Sequence, residues 1–430
     1  MSHQSNLSTD FAPVALPKQF CNLERLSFAM RERGIDGIVA TTGLNTFYLS
    51  GLNGIAHKSD EPRPHAVILS RHCPQRAILV VADYYLSSVM FQPTWIEDVR
   101  SFRAVMMPLD LPAKDDDVMR FVPQSDQPPA WMETMRASFS ANINDAIRGA
   151  LRDLGLDEAD VAFDELRLGQ QLAMPKVNVR DAYDPLMFAR SVKTDEELIL
   201  LRRATALNER AITNAIHSWD RGMSWREFNH AYHRAVIDLG GYVRDPGAMV
   251  WGHPRGGDAA IVLGSRLDDF ELTQGTHVMF DCHGTLDLYC WDGGKTWIVD
   301  AEPQGRAKTI AQATANAAEA VRAAMCPGVR VSQLQAIGRA AFRSSGAPDA
   351  DQAVIFFHGL GLSHMDLEQY NARGEANGDW ALEENMVVPL HVLYPSGESE
   401  RMWVEEVARV SSDGGEPFFS WGFDPIVGRG

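Results

Sequence analysis

The chain has 430 residues, of which 45% are hydrophobic, 23% charged and 9% aromatic. That composition is globular and excludes wholesale disorder, collagen and coiled coil. Lys and Arg number 40 against 57 Asp and Glu, a formal charge of −17, so the surface repels phosphate backbones and no nucleic-acid partner is expected.

The five cysteines are odd in number and include no CxxC pair. A disulfide framework and a structural zinc knuckle are therefore not expected. The opening MSHQSNLSTD has no apolar core, so no secretory signal is read. No uncharged apolar run approaches the ~18 residues that a membrane span needs. The expectation is a reduced, cytoplasmic protein with no membrane partner.

Residues 1–17 read as a loose arm. From Asn22 the pattern becomes regular, and NLERLSFAMRERGIDG predicts a helix that carries Leu23, Leu26, Phe28 and Met30 and ends near Gly34. GIVAT (37–41), AVILS (66–70) and AILVVA (77–82) read as buried strands. The alternation predicts a first α/β domain over 18–186. Within it, 105–135 is rich in Pro, Asp and Met and reads as a loop-heavy insertion. Residues 143–154 predict a helix and VAFDE (161–165) a strand; the rest, to about Leu186, reads as a link.

A second domain is expected over 187–430. Thr194 and Glu197 form a capping-box pattern, and apolar residues from Leu198 to Ala215 follow at near-helical spacing. A second helix is predicted from Gln304 to Cys326, closed by Pro327-Gly328, and a third behind a second capping-box pattern at Ser332 and Gln335. VMFDC, TWIV, MVVPLHVLY and WVEEVARV are β-branched and alternating, which predicts a mixed or antiparallel sheet. The fold class is thus an α/β N-terminal domain followed by an α+β domain.

The ionisable residues of this second domain are placed unusually. Asp281 reads as the end of an apolar strand, and Asp292 follows eleven residues later. His358 comes directly after the apolar run VIFF. His391 lies inside MVVPLHVLY, and Glu405 with Glu406 interrupts WVEEVARV. Taken singly, an Asp at a strand end is usually a turn former, and a strand histidine is usually a satisfied core residue. Adjacent strand residues face opposite ways, so only one of the two glutamates can join an inward cluster. Together, five oxygen and imidazole donors on apolar strands are costly to bury unless a cation joins them. A hard-to-borderline divalent cation is the economical explanation.

These residues resemble the creatinase/prolidase, or pita-bread, family. Asn45, Tyr48, Leu49 and Gly51 resemble the end of its N-terminal signature, and VKTDEELILLRRA (192–204) the opening of its catalytic domain. Asp281 and Asp292 stand at the family's spacing, with Tyr289 and Lys295-Thr296 nearby. His358-Gly359-Leu360-Gly361 resembles its His-Gly-Ile-Gly motif, and Glu405 falls at its last metal-bridging glutamate. The resemblance implies a pita-bread catalytic domain, a homodimer, and two divalent ions, Mn, Fe, Co or Zn. Asp281 would chelate one ion, Asp292 and Glu405 would bridge both, and His358 would ligate the second. Paired ions would make a water between them the nucleophile.

Three departures from the family pattern follow. His391 stands where the proline peptidases carry a glutamate ligand, which removes one negative charge and softens the site. His283 stands where they usually carry glycine; it shares a strand face with Asp281, as an extra ligand or a substrate contact. Dimethylsulfoniopropionate lyases of the family also carry a ligand-type residue there. For the family's upstream histidine the nearest candidate is His253, which lies further upstream, and the downstream one is His364, one residue short of the prolidase spacing. His364, His253 and His283 are the candidate catalytic histidines, and Arg401 and Arg255 the candidate partners of a substrate carboxylate. Cys282 and Cys290 are expected to face the core.

The expected activity is metal-dependent hydrolysis of a C–N bond in a small molecule or dipeptide, as in an Xaa-Pro dipeptidase or aminopeptidase. The alternative is a non-peptidase of the same fold, either a lyase or a creatinase-like amidinohydrolase acting on a small zwitterion. A metal-free binding protein is disfavoured by the retained carboxylates.

Overall fold

The computed structural model describes residues 11–54, 61–92, 94–104, 122, 125–251, 269–347, 350–395 and 401–428, with the backbone alone over 244–251. His253, Arg255 and residues 105–121 of the Pro-rich stretch lie outside the described residues. The chain divides into two compact units. One comprises 16–190 and 368–377; the other comprises 1–15, 191–367 and 378–430.

The N-terminal unit is built on a mixed six-stranded sheet. Its strands are β1 (Gly37–Ala40), β2 (His65–Ser70), β3 (Ile78–Ala82), β4 (Asp98–Phe102), β5 (Asp160–Phe163) and β6 (Asn178–Asp181), in the order β4-β3-β2-β1-β5-β6. β1, β2 and β3 pair antiparallel, and the remaining neighbours pair parallel. β1, β2 and β3 are buried throughout, which is why they read as unbroken apolar runs. The helix Leu23–Glu32 starts at Asn22, whose side chain accepts from the Arg25 N–H. The stretch before Leu186 is more than a link. It holds β6 and the helices Leu166–Gln171 and Tyr183–Ser191. These are short, and β6 is mostly exposed, so they carry little apolar periodicity to read.

The second unit is built on a nine-stranded sheet. Its strands are β7 (Tyr242–Trp251), β8 (His277–Leu286), β9 (Tyr289–Trp291), β10 (Gly294–Val299), β11 (Val354–Phe357), β12 (Val387–Tyr394), β13 (Met402–Ser411), β14 (Gly414–Pro417) and β15 (Ile426–Gly428). The main path runs β11-β12-β13-β10-β8-β7, with β9 on β8, β14 on β13 and β15 on β10. Among the described strands of this unit, only β10 and β15 pair parallel.

Two helix pairs cover one face of this sheet. Asp195–Ser218 and Trp225–Asp238 pack on β8 and β10 through Leu207, Ile212, Phe228, Val278, Phe280 and Cys282. Gly305–Ala324 and Val331–Ser344 pack on β11, β12 and β13 through Val321, Leu334, Ile355, Leu390 and Val404. Strand alternation then decides what the other face carries. Phe280 and Cys282 point to the helices, so Asp281 and His283 point away from them. Leu390 and Val392 point to the helices, so His391 points away; Val404 and Ala408 leave Glu405 on the same face, turned from the helices. Phe11, within the expected arm, is buried in the core of this unit.

Two sequence readings need correction. Asp281 does not end its strand, because β8 continues five residues to Leu286. The helix at 331 is not capped by Ser332. Arg330 is its N-cap and Gln333 its N3 partner, while the Ser332 N–H donates to Asp379 Oδ1 at 3.0 Å, and this long-range partner fixes Ser332 inside the first turn. The helix Trp225–Asp238 carries a signal that the sequence reading omits: Ser224 and Glu227 form a complete capping box ahead of it.

The capping box at Thr194 is present in full, and its glutamate has a second role. Glu197 is fully buried, and its carboxylate also accepts from the Tyr289 hydroxyl at 3.0 Å. Burial pushes this carboxyl up to about 7 from an ordinary 4.5, with Lys193 opposing the shift. Between those pH values the folded chain keeps a proton that the unfolded chain releases. The stability from this group is fully present below about 4.5 and is lost as pH rises through 7. Glu197→Gln, which does not titrate, should therefore gain on the native chain by roughly 2 to 3 kcal/mol between pH 5 and pH 8. Urea unfolding at the two pH values measures this, and an unchanged difference would contradict it.

Candidate metal centre

On the face turned from the helices, cross-strand register brings the donors together. His391 on β12 stands directly opposite Glu405 on β13, and Gly294 on β10 stands opposite Glu405 from the other side. Gly293 has φ of 84°, and a Cβ there would lie 2.7 Å from Glu405 Cγ. A side chain at 293 would thus push Asp292 away from Glu405.

Seven of the residues singled out from the sequence converge here. Three groups each bring their ligand atoms within 4.8 Å of one another: Asp281, Asp292 and Glu405; His358, His391 and Glu405; and His283, Asp292 and His364. His358 and His364 approach Asp292 Oδ2 at 3.3 and 2.9 Å, and His391 Nε2 lies 2.7 Å from Glu405 Oε1. His283 Nε2 lies 3.1 Å from Asp281 Oδ1 and 2.8 Å from Asp292 Oδ1. Asp292, Glu405, His358 and His391 are buried; Asp281 and His283 are partly open, and His364 is the most open of the set.

The tautomers of the two buried histidines follow from their outer partners. His358 Nδ1 lies 3.0 Å from the Gly359 carbonyl, and His391 Nδ1 lies 3.1 Å from the Phe356 carbonyl. A carbonyl only accepts, so Nδ1 carries the proton in both rings and Nε2 presents a lone pair to the cluster. Phe356 also stacks on His391, with ring centroids 4.0 Å apart. At 2.7 Å, then, a nitrogen lone pair of His391 faces a carboxylate oxygen of Glu405. Both oxygens of Glu405 and Oδ2 of Asp292 are buried without a well-formed hydrogen bond. Such an arrangement calls for a cation among them, or a proton.

The electrostatics agree. Burial, then the charges of Asp292 and Asp281, push the Glu405 carboxyl well above its usual range. Burial also depresses His358 and, more strongly, His391, which favours the neutral form of both rings. Burial would raise Asp292, but the close approach of the His283, His364 and His358 rings outweighs it and holds that carboxyl well down. Strongly shifted groups of opposite tendency in one cluster are a mark of a functional site.

Glu406 turns the other way, and its carboxylate accepts from the Phe418 and Phe419 N–H groups at 3.0 Å. Cys282 and Cys290 are buried, with Cys290 Sγ 3.5 Å from the Leu362 carbonyl. Lys295 does not reach the cluster; its ammonium donates to the carbonyls of Trp421 and Gly422. Arg401 stands one residue before β13 and is buried.

A supporting residue that the sequence did not reveal is Asp366. Its carboxylate accepts from the N–H groups of Leu362 and Ser363 and lies 3.7 Å from the buried Lys193 ammonium. The loop between His358 and His364 folds around it. A Cβ at Gly359 or Gly361 would come within 2.3 or 2.1 Å of Asp366 atoms, which accounts for both glycines of HGLG. The hairpin of β8 and β9 is tied to the same loop by the Cys290 N–H, which donates to the Gly361 carbonyl at 2.8 Å.

The comparisons with known proteins agree with this architecture. Residues 199–412 match metallopeptidase family M24, and the chain belongs to the creatinase/prolidase, pita-bread family. No curated protein matches the chain. Solved structures do. An X-Pro aminopeptidase from Thermotoga maritima MSB8 is 18% identical, covers 94% of this chain and 99% of its own, and has a TM-score of 0.63. An Xaa-Pro dipeptidase from Bacillus anthracis is 18% identical over 94% and 98%, with a TM-score of 0.66. A prolidase from Pyrococcus furiosus is 17% identical over 91% and 98%, with a TM-score of 0.62. At such identities the likeness is one of fold. No described helix is long and apolar enough to cross a membrane.

Proposed function

We propose that this chain is a divalent-metal-dependent hydrolase of a C–N bond in a small substrate, of the Xaa-Pro dipeptidase or aminopeptidase type. The observation that carries the reading is the buried meeting of Asp292, Glu405, His358 and His391, where imidazole nitrogens stand against Asp292 Oδ2 and the Glu405 carboxylate and those oxygens have no well-formed hydrogen bond. Those four residues would hold the ion, with Asp281 beside them. An ion bound there supplies Lewis acidity to a carbonyl and makes water a competent nucleophile near neutral pH. The chain's own part is to hold the donors rigid. The Gly359 and Phe356 carbonyls orient the two imidazoles, and Asp366 with Lys193 fixes the loop that carries His358 and His364. His364, the most open histidine of the set, is placed to meet substrate and to exchange a proton with it.

A second reading is favoured by one observation. His283 and His391 both face the cluster, where the proline peptidases have glycine and glutamate. That difference suits a non-peptidase acting on a small zwitterion.

The test is an assay of Xaa-Pro dipeptides by the purified protein, before and after exhaustive chelation. Activity should disappear on chelation and return with Mn, Fe, Co or Zn. Undiminished turnover in chelated protein would exclude the metal reading. The face assignment has its own check: Glu405→Gln should lose bound metal, and Glu406→Gln should retain it. The reverse pattern would place Glu406 in the site instead.

A further inference from the structure

We propose that the centre takes a single divalent ion, held by His358, His391, Glu405 and Asp292, and that His283 fills the place a second ion would otherwise take. The proposal rests on the metal-dependent reading above and narrows it.

A second ion in this cluster would need Asp281 and Asp292 to share it. The His283 ring nitrogen already stands between them, 3.1 Å from Asp281 Oδ1 and 2.8 Å from Asp292 Oδ1. A nitrogen facing two carboxylate oxygens at those distances acts as a donor to them. An imidazole that ligates an ion turns its lone pair to the ion instead.

The two oxygens of Asp292 are divided accordingly. Oδ1 takes the Gly293 N–H at 2.9 Å together with His283. Two donors occupy that oxygen. Oδ2 is turned to the opposite side, towards His358 and His364, and has no well-formed hydrogen bond. Asp292 is therefore arranged to give one oxygen to an ion and to hand the other to the protein.

The remaining donors sort the same way. His358, His391 and Glu405 form a two-imidazole, one-carboxylate set, and both imidazoles have their outer nitrogen fixed on a carbonyl. That donor set suits zinc or ferrous iron better than the harder manganese. On the other side, the His283 ring packs against His364 with centroids 4.4 Å apart, which closes the aspartate pair from that direction.

The alternative is that His283, Asp292 and His364 form a second metal site of their own. Counting ions separates the two. The full-length protein is stripped with chelator, reloaded with excess Zn2+ and, separately, Mn2+, and passed through gel filtration. Bound metal is then counted by mass spectrometry, and folding is checked by circular dichroism. The wild type should hold a single Zn2+ per chain, and His283→Gly and His283→Ala should each hold two. Two ions in the wild type would overturn the proposal while leaving the metal-dependent reading intact, and that count needs no variant to fold. Folded His283 variants that stay at one ion, or fall below it, would equally overturn the role given to His283. No bound ion in the reloaded wild type would overturn both this inference and the function on which it rests.

Discussion

Asp292→Ala should leave a folded protein that neither retains a divalent ion nor turns over substrate. Asp292 is fully buried, and His283, His358 and His364 all converge on it. Loss of an outer partner of a metal ligand already costs roughly 10- to 100-fold in affinity or activity. Loss of the carboxylate that joins the two halves of the cluster should cost more, and should remove metal and turnover together. Stability need not fall in parallel. The carboxylate is a buried charge whose oxygens meet three imidazoles, and the alanine leaves those rings free to relax towards Glu405 and Asp281. Metal content, turnover and the urea midpoint of the same preparation decide the matter. Full activity in this variant would remove Asp292 from the chemistry.

The sequence reveals the donors of this cluster because they interrupt apolar strands. Asp281 and His283 alternate with Phe280 and Cys282, and two-residue periodicity alone sends the first pair away from the helices that bury the second. The same argument separates Glu405 from Glu406, and the structure finds the two carboxylates on opposite faces, Glu406 on the Phe418 and Phe419 amides. What sequence reading does not reveal is the scaffold behind the donors. Lys193 and Asp366 are 173 positions apart in the chain and meet only because β8, β9 and the HGLG loop fold onto the start of the helix Asp195–Ser218. No local pattern announces such a pair. Ser332 shows the converse. Its capping-box pattern is real as a pattern, but Asp379 competes for the Ser332 amide and the helix starts earlier. At Ser224 and Glu227 the local signal was complete and sufficient; only the apolar run behind it, interrupted by Asn229, His230 and His233, hid the helix.

His391→Glu should move the enzyme towards Xaa-Pro cleavage, and His283→Gly added to it should move it further. His391 stands opposite Glu405 in register, and its neighbours Leu390 and Val392 point into the core, so the exchange alters the donor and gives up the Phe356 stacking and the bond to the Phe356 carbonyl, while the core packing on the helix side stays in place. The glutamate adds one negative charge beside the ion. A more anionic site favours a harder ion and holds the attacking water at a higher pKa. Glycine at 283 removes the ring that bridges Asp281 and Asp292 and opens the position that the peptidases use. The double variant thus reverses both departures from the peptidase pattern at once. Its kcat/KM for an Xaa-Pro dipeptide should exceed that of the native chain by at least about tenfold, equivalent to 1.4 kcal/mol of transition-state stabilisation, and its preference should shift from zinc towards manganese. Two results would count against this. A native chain that already cleaves Xaa-Pro dipeptides at ~10 per second, the turnover of an ordinary dedicated enzyme, would make His391 a tolerated exchange. A double variant that binds manganese and gains no peptidase activity would place the determinant of specificity outside the metal cluster, in the residues that contact the substrate itself.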